Sequence, residues 1–377
     1  MESYSFKIES SQEVEFLIDN DSDFSWLSQC DTKSHNRIYV VVDTFIDDKW
    51  GTVLRKKLNK QDKEVIWLTF QSVEENKSLE NFVELVNKLE ARGLNRYDVI
   101  IAIGSGVLLD LVGFVASTYM RGVPLILVPT TLIGQVDAAT AGKTCVNSTN
   151  SKNLVGTLYL PRQVYNNVHF LRTLSGYHFR QGVSEIFKYG LLGSKRLIKL
   201  LLDHKKEPSD NTLIQIINET IRVRMKLRKE DPLASNLGHT FGHAMEKLSD
   251  YSVGHGDAIS AGILMAVCLG EREGITRSGT LEKVLHYMEQ LSINRYYDTG
   301  WAIDDIVGLM LKDKKSSSDR INLVMIKDIG EPYSRNSLPF FSVEKEIVRT
   351  FLQYFFSKHT GHAKSGLAQF LKQQEKI

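Results

Sequence analysis

The chain is 377 residues long, with 42% hydrophobic and 24% charged residues. That length suits two packed domains better than one core, and the composition excludes a disordered chain, a collagen and a disulfide-stapled miniprotein. Lys and Arg number 47 against 45 Asp and Glu, a net charge of +2, so the electrostatics give no reason to expect a nucleic-acid or membrane partner.

Along the first half, short apolar runs alternate with longer amphipathic ones. Ile38–Val42 and Val65–Phe70 read as strands, and Leu79–Arg92 as a helix with its apolar residues at helical spacing. Asp98–Ile103, a glycine turn, a helical stretch Leu108–Tyr119 and the strand Leu125–Val128 follow. This order predicts β-α-β units on a parallel sheet, with strands covered on both faces. From about Ser175 the pattern becomes helical: Arg180–Leu192, Leu213–Lys229, Gly238–Leu248, Asp257–Glu273 and Thr280–Leu291, with Arg320–Ile326 the one strand-like exception. The expectation is an α/β N-terminal domain with a parallel Rossmann-like sheet (residues 1–174), a mostly α-helical C-terminal domain (residues 175–377), and an active site in the interdomain cleft.

The cysteines, Cys30, Cys145 and Cys268, are odd in number and far apart, which fits a reducing compartment. The opening residues MESYSFKIESSQEVEF show no basic stretch leading into an apolar block, so no signal peptide is expected. The longest apolar run, around Ala258–Leu269, falls short of the ~20 residues a membrane span requires. A cytoplasmic protein is expected.

Three groups of residues carry chemistry. In the first, Val99–Gly106 is a buried-strand pattern entering the turn Gly104-Ser105-Gly106. Glycines there let a backbone approach a phosphate at a helix N-terminus, yet the third glycine of the dinucleotide fingerprint is missing; a tight turn that binds nothing fits equally. Asp43, at a strand end, either accepts from a ribose hydroxyl or is simply solvated. In the second, His239 and His243 lie four apart, so one helix face carries both; His255 follows a short loop later, and Glu185 and Lys188 sit one turn apart. Imidazoles plus a carboxylate are what a catalytic Zn2+ uses, and spacing alone picks His239 and His243 as the ligand pair. In the third, Lys143 and Lys152-Asn153 flank a polar loop, Asn147–Ser151, with Asp137 nearby and Asp313-Lys314-Lys315 far along the chain. These either clamp a phosphate or carboxylate or belong to solvated loops.

Taken together, Thr118-Tyr-Met-Arg-Gly-Val-Pro, Pro129-Thr-Thr-Leu, Gln135-Val-Asp137, Gly142-Lys-Thr, Lys152-Asn-Leu, Ser184-Glu-Ile-Phe-Lys-Tyr-Gly, Asn236-Leu-Gly-His-Thr-Phe-Gly-His-Ala, His255-Gly-Asp-Ala and Asp313-Lys-Lys resemble the 3-dehydroquinate synthase family of sugar-phosphate cyclases, most strongly from Asp98 to Glu273. The resemblance implies a tightly held NAD and a catalytic Zn2+ (or Co2+). It replaces the spacing-based ligand pair with Glu185, His239 and His255. It places Asp43, Gly104, Ser105, Gly106, Asp110, Thr130, Thr131 and Thr173 on the NAD. Lys188, Asn236, His243, Lys143, Lys152 and Asp137 take catalytic positions, and Arg121, Lys143, Lys152, Asn153, His243 and Lys315 take substrate-binding ones. Arg121 matches an arginine that the family sends across a homodimer interface to the substrate phosphate. The chemistry so implied is transient oxidation of a ring hydroxyl by NAD+, phosphate elimination, return of the hydride, ring opening and an intramolecular aldol closure.

The chain departs from the family pattern at three places. Ser105 replaces the middle glycine of the turn. The Gly-Glu-x-x-Lys motif reads Val73-Glu74-Glu75-Asn76-Lys77. The segment Asp231-Pro-Leu-Ala-Ser235 is shorter than usual and lacks the arginine that meets the substrate carboxylate, although Arg224 stands near an upstream family lysine. A non-carboxylated substrate such as sedoheptulose 7-phosphate or glucose 6-phosphate is therefore favoured over 3-deoxy-D-arabino-heptulosonate 7-phosphate, the substrate of 3-dehydroquinate synthase proper. A metal-dependent NAD polyol dehydrogenase and a non-catalytic descendant are the competing classes.

Overall fold

The computed structural model describes residues 13–357 apart from 29, 31–33, 61, 150, 206–207, 232, 296–297, 299, 314–315, 318 and 336–337. The chain divides into two compact units, Met1–Thr173 and Leu174–Ile377.

The first unit is built on six parallel strands: β1 (Glu15–Asp19), β2 (Ile38–Asp43), β3 (Val65–Phe70), β4 (Val99–Gly104), β5 (Leu125–Pro129) and β8 (Gln163–Asn167). Their order is β1-β8-β5-β4-β2-β3. Helices α1 (Thr44–Leu58), α2 (Leu79–Glu90) and α3 (Gly106–Thr118) connect them, and a single turn, α4 (Ala139–Ala141), follows a wide helical turn over Gly134–Ala138. In β2, Tyr39 and Val41 enter one apolar cluster, whereas Ile38, Val40 and Val42 enter another; Ile100 and Ala102 of β4 part from Val99, Ile101 and Ile103 in the same way. Successive side chains point to opposite faces, and each face has its own core, which explains the apolar runs without polar alternation. Fully burying one such Val or Ile side chain contributes about 1.5–3 kcal/mol.

The lysine-flanked segment read as a polar loop is a hairpin instead. β6 (Lys143–Ser148) pairs antiparallel with β7 (Ser151–Leu158), with a register irregularity between Val146 and Ser148.

The second unit packs α5 (Gly176–Gly193), α6 (Lys195–Asp203), α7 (Asp210–Glu230), α8 (His239–Leu248), α9 (His255–Arg272), α10 (Thr280–Gln290) and α11 (Ile303–Leu311). Helix α9 is buried from Gly256 to Gly270 and packs against both α5 and α8. The expectation of one strand here needs correcting: β9 (Arg320–Val324) pairs with β12 (Phe340–Glu344), and β10 (Ile326–Asp328) with β11 (Glu331–Pro332). Each of these is five residues or fewer, too short for a clear period-2 signal. Among the described residues no helix is long and apolar enough to cross a membrane.

Candidate active site

In the first unit the sheet itself marks a ligand position. β2 leads through α1 to β3 on one side, and β4 leads through α3 to β5 on the other, yet β2 and β4 are neighbours. Connections that diverge from adjacent parallel strands open a crevice at their carboxyl ends, where nucleotides bind. Asp43 ends β2, and Gly104 ends β4. A Cβ on Gly104 would come within 3.2 Å of the Asp43 Cβ and 3.0 Å of Leu108 Cδ2, a tight fit that would push those side chains aside. Ser105 caps α3 without a side-chain capping bond, and its buried Oγ has no hydrogen-bond partner. An orphan hydroxyl at the positive end of a 13-residue helix suits an anionic ligand.

The remaining residues that the resemblance places on a dinucleotide are held in different ways. Asp43 is engaged structurally: Oδ1 accepts from the backbone N–H groups of Phe45 at 2.9 Å and Ile46 at 3.3 Å, and Oδ2 from that of Ser72 at 3.2 Å. Thr130 is buried and its N–H donates to the Gly104 carbonyl at 2.9 Å. Thr131 Oγ1 accepts from the Gly134 N–H at 3.1 Å, and Thr173 Oγ1 donates to the Phe170 carbonyl at 2.9 Å.

Asp110 leads to the lysine of the altered Glu-x-x-Lys segment. Lys77 is buried and its Nζ lies 2.5 Å from Asp110 Oδ2 and 2.6 Å from Asn153 Oδ1. Burial lifts the Asp110 carboxyl above the ordinary carboxylate range despite the lysine. Burial lowers the Lys77 ammonium, but Asp110 more than offsets this and holds it above its usual value. Asn147 donates to Glu74 Oε1 at 2.8 Å, and Lys152 lies 3.6 Å from the same oxygen. Glu74 and Lys77 of the altered Glu-x-x-Lys segment are thus joined with Asp110, Asn147, Lys152 and Asn153. The signal was the Glu-x-x-Lys spacing, which survives the loss of the glycine before it. Lys143 opens β6 and is exposed; Asp137 lies on the wide turn before α4, where backbone geometry often serves a site.

Arg121 is exposed at the turn after α3. Met120 and Arg121 take φ of 48° and 65°, and Gly122 follows at 124°. Two non-glycine residues in the left-handed region cost about 1–3 kcal/mol each, strain that a turn keeps when its side chains are needed in place. Lys315 lies outside the described residues.

In the second unit, three helices bring donors together. Glu185 on α5, His239 at the start of α8 and His255 at the start of α9 each offer an atom within 4.8 Å of the others. Glu185 is fully buried and its Oε2 accepts from Lys188, also buried, one turn on. His255 Nε2 lies 3.5 Å from Glu185 Oε1, while its Nδ1 faces Glu246 Oε1 at 3.2 Å. His239 Nδ1 lies 3.1 Å from the Leu237 carbonyl. His243, Glu246 and His255 form a second such group; among the described residues neither group contains His239 together with His243. His243 is exposed, with its ring 5.2 Å from that of His239 and 6.1 Å from that of His255. Asn236 is buried and its carbonyl accepts from the His239 N–H at 3.1 Å.

Burial alone would lower the His255 pKa, but Glu246 and Glu185 outweigh it and hold it up at about 10. Both carboxylates thus favour the charged form of the His255 ring. One carboxylate and two imidazoles are the donor set of a three-ligand catalytic zinc site with an open position, so the residues fit a divalent cation.

The α7–α8 connection is tight. Asp231 Oδ1 accepts from the Leu233 N–H at 2.6 Å, and the Asp231 carbonyl from that of Ala234 at 3.1 Å. No Lys or Arg occurs between Asp231 and Gly238. Arg224 of α7 is buried, donates to the Tyr189 hydroxyl, and holds its guanidinium carbon 5.6 Å from that ring's centre.

Comparison with known proteins places this geometry. Residues 67–181 match the model of the 3-dehydroquinate synthase N-terminal domain, and residues 182–316 that of its C-terminal domain. The 3-dehydroquinate synthase of Clostridium perfringens (strain SM101 / Type A) is 35% identical over 294 residues, covering 75% of this chain and 83% of that protein. Among solved structures, 2-deoxy-scyllo-inosose synthase complexed with carbaglucose-6-phosphate, NAD+ and Co2+ superposes with a TM-score of 0.81 at 24% identity, over 89% of this chain and 95% of that one. The 2-epi-5-epi-valiolone synthase ValA of Streptomyces hygroscopicus subsp. jinggangensis 5008, with NAD+ and Zn2+ bound, gives 0.82 at 24%, over 94% and 99%. At that identity both show the fold.

Proposed function

The chain belongs to the 3-dehydroquinate synthase family, and from that premise we propose that it is a sugar-phosphate cyclase, a lyase that expels inorganic phosphate and closes a carbocycle. Its cofactors are NAD and one divalent cation, Zn2+ or Co2+. The observation that carries the reading is the convergence of Glu185, His239 and His255 within 4.8 Å. When bound, the pair of cofactors supplies reversible hydride acceptance and polarisation of a substrate oxygen.

The chain's own groups do the rest. Ser105 and the α3 N-terminus bind the pyrophosphate of the dinucleotide, with Asp43, Gly104, Gly106, Asp110, Thr130, Thr131 and Thr173 around it. Lys188, whose ammonium rests on the Glu185 carboxylate, passes a proton to or from a substrate oxygen. His243, exposed beside His239 and His255, exchanges a proton between a substrate hydroxyl and solvent. Lys143, Lys152 and Lys315 neutralise phosphate charge; Asp137, Asn153 and Asn236 orient hydroxyls. In a homodimer, the strained and exposed Arg121 reaches the substrate phosphate of the partner copy.

The substrate lacks a carboxylate, as sedoheptulose 7-phosphate and glucose 6-phosphate do. The support is the closed turn at Asp231–Asn236, which carries no cation to meet one; a missing charge-assisted partner costs roughly 2–5 kcal/mol of binding. The second reading is 3-dehydroquinate synthase proper, favoured by the name of the relative at 35% identity, with Arg224 as the compensating cation. Offering 3-deoxy-D-arabino-heptulosonate 7-phosphate, sedoheptulose 7-phosphate and glucose 6-phosphate in parallel, with phosphate release as the readout, separates them. Turnover of the keto-acid phosphate alone would overturn the preferred substrate class; NADH production from an unphosphorylated polyol with no phosphate release from any of the three would favour a dehydrogenase.

A further inference from the structure

His255 opens a helix whose first turn is held by a side chain from another helix. Gly254, at the N-cap of α9, offers no side-chain oxygen, and the first N–H groups of a helix have no partner within it. Gln181 of α5, itself buried, fills the gap: its Oε1 accepts from the Gly256 N–H at 2.6 Å and the Asp257 N–H at 3.3 Å. The approach is close enough to demand glycine. A Cβ on Gly256 would fall 2.6 Å from the Gln181 carbonyl oxygen and 2.7 Å from its Cα, and one on Gly254 would fall 2.6 Å from Gln181 Oε1.

Gln181 and Glu185 are four residues apart on α5, one above the other on the same face. The bonds that cap α9 therefore also set how far His255 stands from Glu185. We infer that Gln181 is a positioning residue for the donor set Glu185, His239 and His255: by tying the first turn of α9 to α5 it fixes the imidazole of His255 opposite the Glu185 carboxylate. Glu246 completes the arrangement by holding Nδ1, so that Nε2 faces Glu185. Gln181 touches neither cation nor substrate in this account, which rests on the reading of those three residues as metal ligands.

The test uses full-length apoprotein prepared with a chelator and titrated with Co2+, following the visible absorption of the bound ion against a competing chelator. Gln181→Met keeps side-chain length and removes the acceptor. The expected result is a Co2+ Kd weakened about 10–100-fold and an altered visible spectrum, with the far-UV circular dichroism of the apoprotein unchanged. A purely structural cap would lower the apoprotein's unfolding midpoint and leave Kd and spectrum alone, and that result would overturn the inference. Should Gln181→Met not fold, Gln181→Ala carries the same expectation and the same refutation. Glu185→Ala, run in parallel, separates the two claims. Retention of Co2+ by that variant sinks the ligand set, whereas its loss there with wild-type binding in the Gln181 variants sinks only the role of Gln181.

Discussion

Replacing Lys77 by Met would orphan the Asp110 carboxylate within the first unit. The Lys77 side chain is 5% exposed and that of Asp110 18%. Breaking a buried pair by removing one partner costs roughly 3–5 kcal/mol when the remaining charge is fully desolvated; the rim of solvent left on Asp110 puts the expected loss near the lower end, ~3 kcal/mol. Trp26, Trp50 and Trp67 lie in this unit and only Trp301 in the other, so urea unfolding followed by tryptophan fluorescence reports mainly on it. With a urea slope of about 1–3 kcal/mol/M, the midpoint should fall by about 1–3 M. The pH dependence has a definite sign. Burial already raises the Asp110 pKa above 3.8, and losing Lys77 raises it further. Between 3.8 and that raised value the folded chain holds a proton that the unfolded chain has released, so stability gained by protonation appears as pH falls. The deficit should therefore be smaller at pH 5 than at pH 8, and Asp110→Asn added to Lys77→Met should recover most of it. A midpoint shift below about 0.3 M with no pH dependence would refute the reasoning.

Glu185→Ala and His255→Ala should each lose the bound cation and turnover together, checked by metal content after gel filtration; wild-type content in either contradicts the ligand set. Since His255 is held at about 10 in the metal-free protein, binding of Zn2+ at pH 7.5 should release about one proton. Calorimetry in buffers of different ionisation enthalpy measures that number, and a value near zero would be inconsistent with an imidazolium at rest. For the same reason His255 in the chelator-treated apoprotein should contribute stability that is complete below about 6.5 and fades as pH rises through 10, visible as a falling unfolding midpoint over that window. Gly262→Ala would drive a Cβ into the Gly238 carbonyl and to 3.0 Å from the Gly242 N, prising α8 from α9. A stability loss of about 1–3 kcal/mol with weakened metal binding is expected, and unchanged metal affinity would show that this contact does not set the site.

The parallel strands were legible because both faces of β2 and β4 are covered, which leaves unbroken runs such as Ile38–Val42. β1 and β8 were not; three of the five residues of β8 are polar, and it is buried nonetheless because Gln163 donates to Glu15 Oε2 at 2.6 Å and Asn167 to the Asp21 carbonyl at 2.7 Å. Helix α1 was missed because its apolar residues are sparse, yet Asp43 caps it and Asp47 in its first turn suits the helix dipole. At the site, four-residue spacing pairs His239 with His243, but spacing cannot tell which ring has a third donor in reach, and Glu185 comes from a helix more than 50 residues earlier. The family resemblance supplied the set that the geometry brings together. Lys77 was marked by its Glu-x-x-Lys segment, but not its pairing with Asp110; Gln181 and Glu246 escaped because each acts on a residue of another helix, and a lone polar residue carries no periodic signal.

The most direct test of a cyclase that borrows and returns a hydride is to record inorganic phosphate and NADH on one sample of metal-loaded enzyme with NAD+ and the best sugar phosphate of the panel. The account predicts phosphate released in many turnovers per enzyme with no accumulation of free NADH. NADH rising in step with substrate consumption while the phosphate ester stays intact would contradict it.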